Sequence, residues 1–455
     1  MGGAREVPPF ARLYNQAFHT DPETAYERLR ADGRVAWVEI EPGVRAVLVL
    51  DYDLILVISR DAGATWTRRT SQWSAWSAGL IRPDSETAAM VAQRPNMLFA
   101  EDFEHSRLRA PFDTALRRVG MRELRARVEQ AAMDLIGRFA EHGRAELVGE
   151  YAVVLPLMAM SWLFGLDAVD RWRLPDIMRR IWDADGDAAR AADDLVRLMD
   201  GTVRRHSRGH ARGPLTAGLL ASSGTLRHEE IVATLVLTVG AGSQPAADLI
   251  ANTVHLLLTD SQAREALRTA ELTVEGAVHR TLWARPPIAH YPPVVARRDV
   301  TIDGVTILRG TLVLLGLGPA GQRIHQDHGR PLHNRAYPAF GVGEHRCPAD
   351  QHALAIAQTA VTTLVRELPD LRLAVPAEQV VWRRSPFARA LDRLDVEFTP
   401  RSPVSYPAQE GSPTWQQSPG RFPFGPTSTA PSPRGSGGWA RLFGSRSRGT
   451  SRRGR

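Results

Sequence analysis

The 455-residue chain has a single cysteine, Cys347. Disulfide frameworks need pairs, and structural zinc or iron–sulfur sites need several thiolates, so these are excluded. Covalent c-type haem attachment, which uses two cysteines before a histidine, is excluded with them. Such sparing use of cysteine fits a reducing compartment, and a cytoplasmic location is expected. Lysine is absent: all 57 basic residues are arginine, which reads as the codon bias of a GC-rich genome rather than as a functional signal. Acids are scarce only at the end. From Arg401 onward there are 9 Arg and 1 acid, Glu410, a net of +8; the preceding 400 residues hold 48 Arg and 49 acids, a net of −1. The overall +7 thus belongs to the tail. The body carries no nucleic-acid footprint, and no nucleic-acid partner is expected. Long apolar runs are missing from the N-terminal region, so no signal peptide or membrane anchor is expected. Ile231 to Leu258 is long enough to span a bilayer, but it contains Ser243, Gln244, Pro245, Asp248 and Asn252. It reads as a buried helix of a large soluble protein.

What is present is an ordinary globular composition, 43% hydrophobic and 24% charged, with enough chain for a large core. DPETAYERLRADG, residues 21–33, reads as a capped helix with Asp21 before Pro22 and Gly33 at its end. VAWVEI and AVLVLD read as a hairpin. From Phe103 to about Thr281 the text is almost wholly helical. VTIDGVTILRGTLVLL reads as strand, turn, strand around Asp303-Gly304. Gly316 to Phe340 reads as a loop, and ALAIAQTAVTTLVREL as a helix. The fold class is mainly α with small β-sheets: one large domain over residues 1–400 and a disordered Pro/Ser/Gly/Arg-rich tail over 401–455.

The chemistry gathers around Cys347. In AFGVGEHRCPADQHALAIAQ, Gly341 and Gly343 precede the cysteine and a helical pattern follows it. Glycines allow a tight turn and a close approach to a flat ligand. A cysteine at a helix N-terminus is favoured as thiolate. Taken alone, a lone cysteine is more often a small buried hydrophobe.

The string Phe340, Gly341, Gly343, His345, Cys347 resembles the haem-binding loop of the cytochrome P450 family. The resemblance extends over roughly residues 10–400. It implies that family's fold, with haem b between a distal and a proximal helix and Cys347 as the iron ligand. EDFEHSRLRAPFDTAL resembles the family's C-helix, placing His105 and Arg109 on one helix face. By resemblance, His105, Arg109 and His345 bind the haem propionates. VGAGSQPAADLIAN resembles the distal helix, where Ala241 and Gly242 would line the dioxygen groove. The implied function is a monooxygenase that inserts one oxygen atom of dioxygen into a small organic substrate, with electrons from a ferredoxin- or flavodoxin-type partner.

Three departures bear on this. Gln244 and Pro245 stand where the family carries an acid and a threonine that relay protons, and neither can titrate or donate from a hydroxyl. Pro245 should also kink its helix; Ser243 or an ordered water would have to substitute. Arg280 and Trp283 fall where the family has a Glu–Arg ion pair, leaving a cation–π contact or simple packing between them. In the segment before the cysteine the usual motifs are absent, Ala349 replaces a glycine, and Val294 occupies the place of a sheet arginine, with Arg297 and Arg298 as nearby substitutes. Two other readings therefore stay open: a haem-binding protein with little oxygenase activity, acting as sensor or partner, and a peroxide-driven or isomerising haem enzyme.

Other motifs are set aside. GLGPAG, residues 316–321, matches a dinucleotide-binding pattern, but no helix pattern follows and no acid lies about twenty residues on. His325, His328 and His333 read as a solvated loop rather than a metal site. His228 lacks the second histidine of a zinc-protease motif. The Arg-rich tail would serve as a solubilising segment or meet anionic lipid, nucleic acid or an acidic partner.

Overall fold

The computed structural model describes residues 10–402 except 62, 83–84, 183–187, 211, 223, 292 and 328–333. Apart from Arg401 and Ser402, the tail lies outside the described residues. The N-terminal region runs β1 (Ala11–Arg12), α1 (Gln16–Thr20), α2 (Pro22–Ala31), β2 (Val35–Glu41), β3 (Val44–Val49), α3 (Tyr52–Arg60), β4 (Trp66–Thr67), α4 (Ser74–Ser77), α5 (Glu86–Val91). The helical body runs α6 (Asp102–Arg117), α7 (Met121–Phe139), β5 (Arg144–Glu146), α8 (Val154–Phe164), α9 (Ala168–Trp182), α10 (Ala188–Ser207), α11 (Pro214–Leu220), α12 (His228–Thr259), α13 (Ser261–Arg268), α14 (Val274–Ala284). The remainder is β6 (Pro293–Ala296), β7 (Val300–Ile302), β8 (Val305–Ile307), β9 (Leu312–Leu315), α15 (Leu317–Asp327), α16 (Asp350–Glu367), β10 (Arg372–Leu373), β11 (Asp395–Glu397).

Local signals explain the ends of these elements. The Asp21 carboxylate accepts from Thr24 N–H and caps α2, with Pro22 in the first turn. β2 and β3 pair antiparallel, and β7 and β8 turn at Asp303-Gly304, both at positive φ. Asp303 also receives Arg34, tying this small hairpin to the N-terminal sheet. The largest sheet has the order β1-β2-β3-β9-β6-β4. At its edge β4 runs antiparallel to β6, with Trp66 opposite Ala296 and Thr67 opposite Val295. Trp66 and Trp73 are buried in the cores of this region.

α12 is apolar on every side, as a core helix should be, and packs against α8, α10, α14 and α16. It runs unbroken through Pro245. α16 lies on α7 and α12, so the segment leading into it is fixed from two sides.

One expectation is overturned. Residues 317–327, read as loop, form α15 directly after β9. The GLGPAG glycines serve close packing here. A Cβ at Gly316 would strike the Val49 carbonyl, and one at Gly321 would lie 3.0 Å from the Trp283 carbonyl. β9 pairs parallel with β3 and antiparallel with β6, and among the described residues no strand after α15 joins this sheet, so the junction is not a nucleotide-binding βαβ unit. His325 lies on α15, while His328 and His333 lie outside the described residues.

Candidate functional site at the Cys347 loop

The segment before α16 is held by its own backbone. Gly341 N–H donates to Pro338 O at 2.7 Å, Arg346 N–H to Gly343 O at 3.1 Å, and Cys347 N–H to Phe340 O at 2.8 Å. Gly341 and Gly343 both have positive φ, +69° and +74°. At Gly343 the loop passes so close to the Ser59 carbonyl, at the end of α3, that no Cβ fits. Ala349, in the usual glycine position, has φ −104° and needs no glycine.

Arg109, on α6, clamps this loop. Its Nη1 donates to Glu344 O at 3.3 Å and its Nη2 to Arg346 O at 2.7 Å, while Nε donates to Asp113 at 2.6 Å. The side chain expected to bind propionates is thus largely engaged in holding the cysteine loop, with its charge met by Asp113. Cys347 is only partly exposed, and burial pushes its thiol up to about 11 against the pull of the Ala349 N–H and nearby arginines. Burial thus opposes the thiolate that the helix terminus favours.

His105 and His345 come together as the sequence suggests, with ring centroids 4.0 Å apart. His105 is 3% exposed, and its buried Nε2 has no hydrogen-bond partner among the described residues. Burial, then the neighbouring arginines, pulls both imidazoles down, His345 to about 2. Both are neutral at pH 7, and each donates one N–H. Glu344 completes a trio whose ligand atoms lie within 4.8 Å of one another. The nearby Arg68 and Arg109 oppose a cation there and favour an anion. These residues fit haem: a sulfur ligand, an orphaned buried imidazole nitrogen and a field of cations suited to carboxylates.

On α12, Ala241 is exposed and Gly242 and Pro245 are half-buried, whereas Val239, Ser243 and Ala246 are buried. One face of the helix is thus uncovered where the dioxygen groove is expected. Ser243 does not supply the missing hydroxyl to that face. It is fully buried, and its Oγ donates to Val239 O at 2.7 Å. The acid near this face is Asp248, one turn on. Gln244 Nε2 donates to its Oδ1 at 2.7 Å, and Arg383 pairs with its Oδ2 at 3.2 Å. Burial raises the Asp248 carboxyl despite Arg383. Sequence reasoning noted Asp248 only as a polar interruption, although its i+4 spacing from Gln244 was the available signal.

The Glu–Arg pair of the family is replaced by different chemistry. Arg280 turns to Asp260 at 2.5 Å. Trp283 Nε1 donates to Asn334 O at 2.9 Å and packs edge-on against Tyr337. His279, one turn before, meets Tyr337 OH at 3.0 Å, and Glu275, another turn before, pairs with Arg335. Glu275, His279 and Trp283 form one face of α14 that grips residues 334–337. The sheet substitutes named from sequence are engaged elsewhere: Arg297 with Glu101 at 3.2 Å, Arg298 with Thr65 Oγ1 at 2.9 Å.

No helix among the described residues is long and apolar enough to cross a membrane. No family model matches the sequence. Known proteins do. Cytochrome P450 107B1 of Saccharopolyspora erythraea is 30% identical over 411 residues, 86% of this chain and 98% of that protein. A vitamin D(3) 25-hydroxylase of Pseudonocardia autotrophica is 29% identical over 409 residues, 86% of this chain and 97% of that protein. The solved structure of CYP154C4 from Streptomyces sp. ATCC 11861 superposes with a TM-score of 0.76 at 26% identity, over 86% of this chain and 99% of that one. These likenesses span the sheet, α12 and the cysteine loop together: the chain belongs to the cytochrome P450 family of haem-dependent monooxygenases.

Proposed function

We propose that the chain binds haem b with Cys347 as the iron ligand and inserts one oxygen atom of dioxygen into a small organic substrate. Electrons would come from a ferredoxin-type partner in the cytoplasm. The observation that carries this reading is the convergence of the clamped Cys347 loop with the packed imidazoles of His105 and His345. Relatives named as a P450 monooxygenase and a hydroxylase support the reaction class.

When bound, haem would supply the dioxygen chemistry, with Cys347 holding its iron. The residues do the rest. Cys347 must give up its Sγ proton to ligate, and the Ala349 N–H favours the resulting thiolate. Arg109 fixes the direction of the loop. His105 and His345 present neutral N–H donors to the propionates. Ala241 and Gly242 keep the distal face free of bulky side chains. Burial raises the Asp248 carboxyl on the same helix, and the Gln244 amide donates to it.

One observation favours a second reading, in which peroxide drives turnover: Ser243 is committed to Val239 O, and Pro245 has no N–H. Turnover of a compound library with NADH and a surrogate ferredoxin and reductase, set against hydrogen peroxide, separates the two. The first reading predicts NADH-dependent product carrying one atom of labelled dioxygen. Product with peroxide alone moves the assignment to the second. Neither product, with haem fully loaded, removes both and leaves a haem-binding role.

A further inference from the structure

Arg68 had no role in the sequence reading. It follows β4 immediately. Thr67 stands opposite Val295 on β6, so one register step on Arg68 comes opposite Val294. Directly opposed residues on antiparallel strands project from the same face of a sheet. The cation missing at Val294 is therefore present on the neighbouring strand.

Its position is organised by Glu101. Glu101 Oε1 accepts from Thr67 Oγ1 at 2.7 Å and from the Arg68 backbone N–H at 2.6 Å. Glu101 Oε2 takes Arg69 at 3.1 Å and Arg297 at 3.2 Å. The carboxylate thus fixes the Arg68 backbone while other arginines meet its charge. Among the described residues, no carboxylate pairs with the Arg68 guanidinium. Glu101 precedes α6, and His105 lies one turn into that helix. On that helix His105 packs on His345, with ring centroids 4.0 Å apart. Arg109, by contrast, is engaged with Asp113 and two loop carbonyls.

We propose that Arg68 is the principal cation for the carboxylates of the cofactor in this chain, taking over from Val294 across the β4–β6 register. The inference rests on the haem reading above. A guanidinium with no carboxylate of its own among the described residues offers a fork of donors to a carboxylate.

The test measures transfer of ferric haem from the full chain to excess apomyoglobin, followed in the Soret band, for haem and for its dimethyl ester. Arg68→Gln is expected to lose haem about tenfold faster than wild type, as befits a lost charge-assisted hydrogen bond. The dimethyl ester should leave both proteins at one rate, because the carboxylates are blocked. Arg298→Gln should behave as wild type. If Arg68→Gln keeps haem as long as wild type while wild type sheds the ester faster than haem, the carboxylate cradle stands and Arg68 is not part of it. If wild type holds ester and haem equally, the cradle reading itself fails. Should Arg68→Gln not fold, Arg68→Met gives the same comparison: faster loss of haem but not of ester supports the proposal, and unchanged haem loss overturns it.

Discussion

Gln244 donates its side-chain amide to Asp248 Oδ1 at 2.7 Å, joining two buried polar side chains one turn apart on α12. The position where the family pattern has an acid holds the amide, and the carboxyl sits beyond it. This places a proton-holding group where the sequence appeared to have lost one. Asp248→Asn should lower NADH-driven turnover about 100-fold, the scale of a lost general acid, with substrate binding unchanged. The sign of the pH dependence follows from burial, which raises the carboxyl. It keeps its proton above the ordinary range, then loses it as pH rises, and the rate falls on that alkaline limb. The Asn variant should lack the limb. Equal turnover in both proteins would take Asp248 out of the proton path.

Trp283 is expected to matter through one hydrogen bond as well as through packing. Trp283→Phe keeps most of the ring but loses the Nε1 donor to Asn334 O. A cost of about 1–3 kcal/mol is expected for the unsatisfied group, read by thermal unfolding together with reduced haem content. A melting curve indistinguishable from wild type would show that the α14 grip on residues 334–337 does not depend on that bond.

The two loop glycines should differ. Gly343→Ala meets both a positive φ and the Ser59 carbonyl, whereas at Gly341 the nearest atoms are 3.9 Å from an added Cβ. Gly341→Ala should cost about 1 kcal/mol, the φ penalty alone. Gly343→Ala should cost distinctly more and lower haem content. Denaturant titration of the two variants ranks them, and equal midpoints would contradict the close approach to α3.

Acid stability should depend on Glu230, in the first turn of α12. Arg107 and then Arg227 hold its carboxyl down, to about 2 from 4.5, against desolvation. A carboxyl depressed in the folded state contributes its full stability above its unfolded pKa and loses it as pH falls through the folded one. Glu230→Gln should therefore be less stable by about 2 kcal/mol at pH 7, with the difference shrinking from about pH 4.5 and gone near pH 2. A difference that did not change with pH would point to packing rather than charge.

What was legible in the sequence was local. The α2 cap, the β2–β3 hairpin and the string from Phe340 to Cys347 each declare themselves within a few residues. α15 was hidden because its glycines and proline read as loop, whereas packing on α14 and α3 makes it helix. Ser243 was a reasonable hydroxyl donor by position, but rotamer freedom let it satisfy its own helix. Arg109 lies on the helix expected for it, but its contacts to the cysteine loop were not legible, since those carbonyls lie 235 and 237 residues away. Arg68 was invisible for the same reason: its significance comes from a strand register and from Glu101, neither of which a single stretch of sequence displays.

The most direct measurement is the carbon monoxide difference spectrum of the reduced, purified protein, taken with Cys347→Ser in parallel. Haem held through the Cys347 thiolate predicts a strongly red-shifted Soret band in the wild type and its absence in the variant. A wild-type protein that loads haem but shows only an unshifted band, or that binds no haem, would contradict the assignment of Cys347 as the iron ligand and the oxygenase function that rests on it.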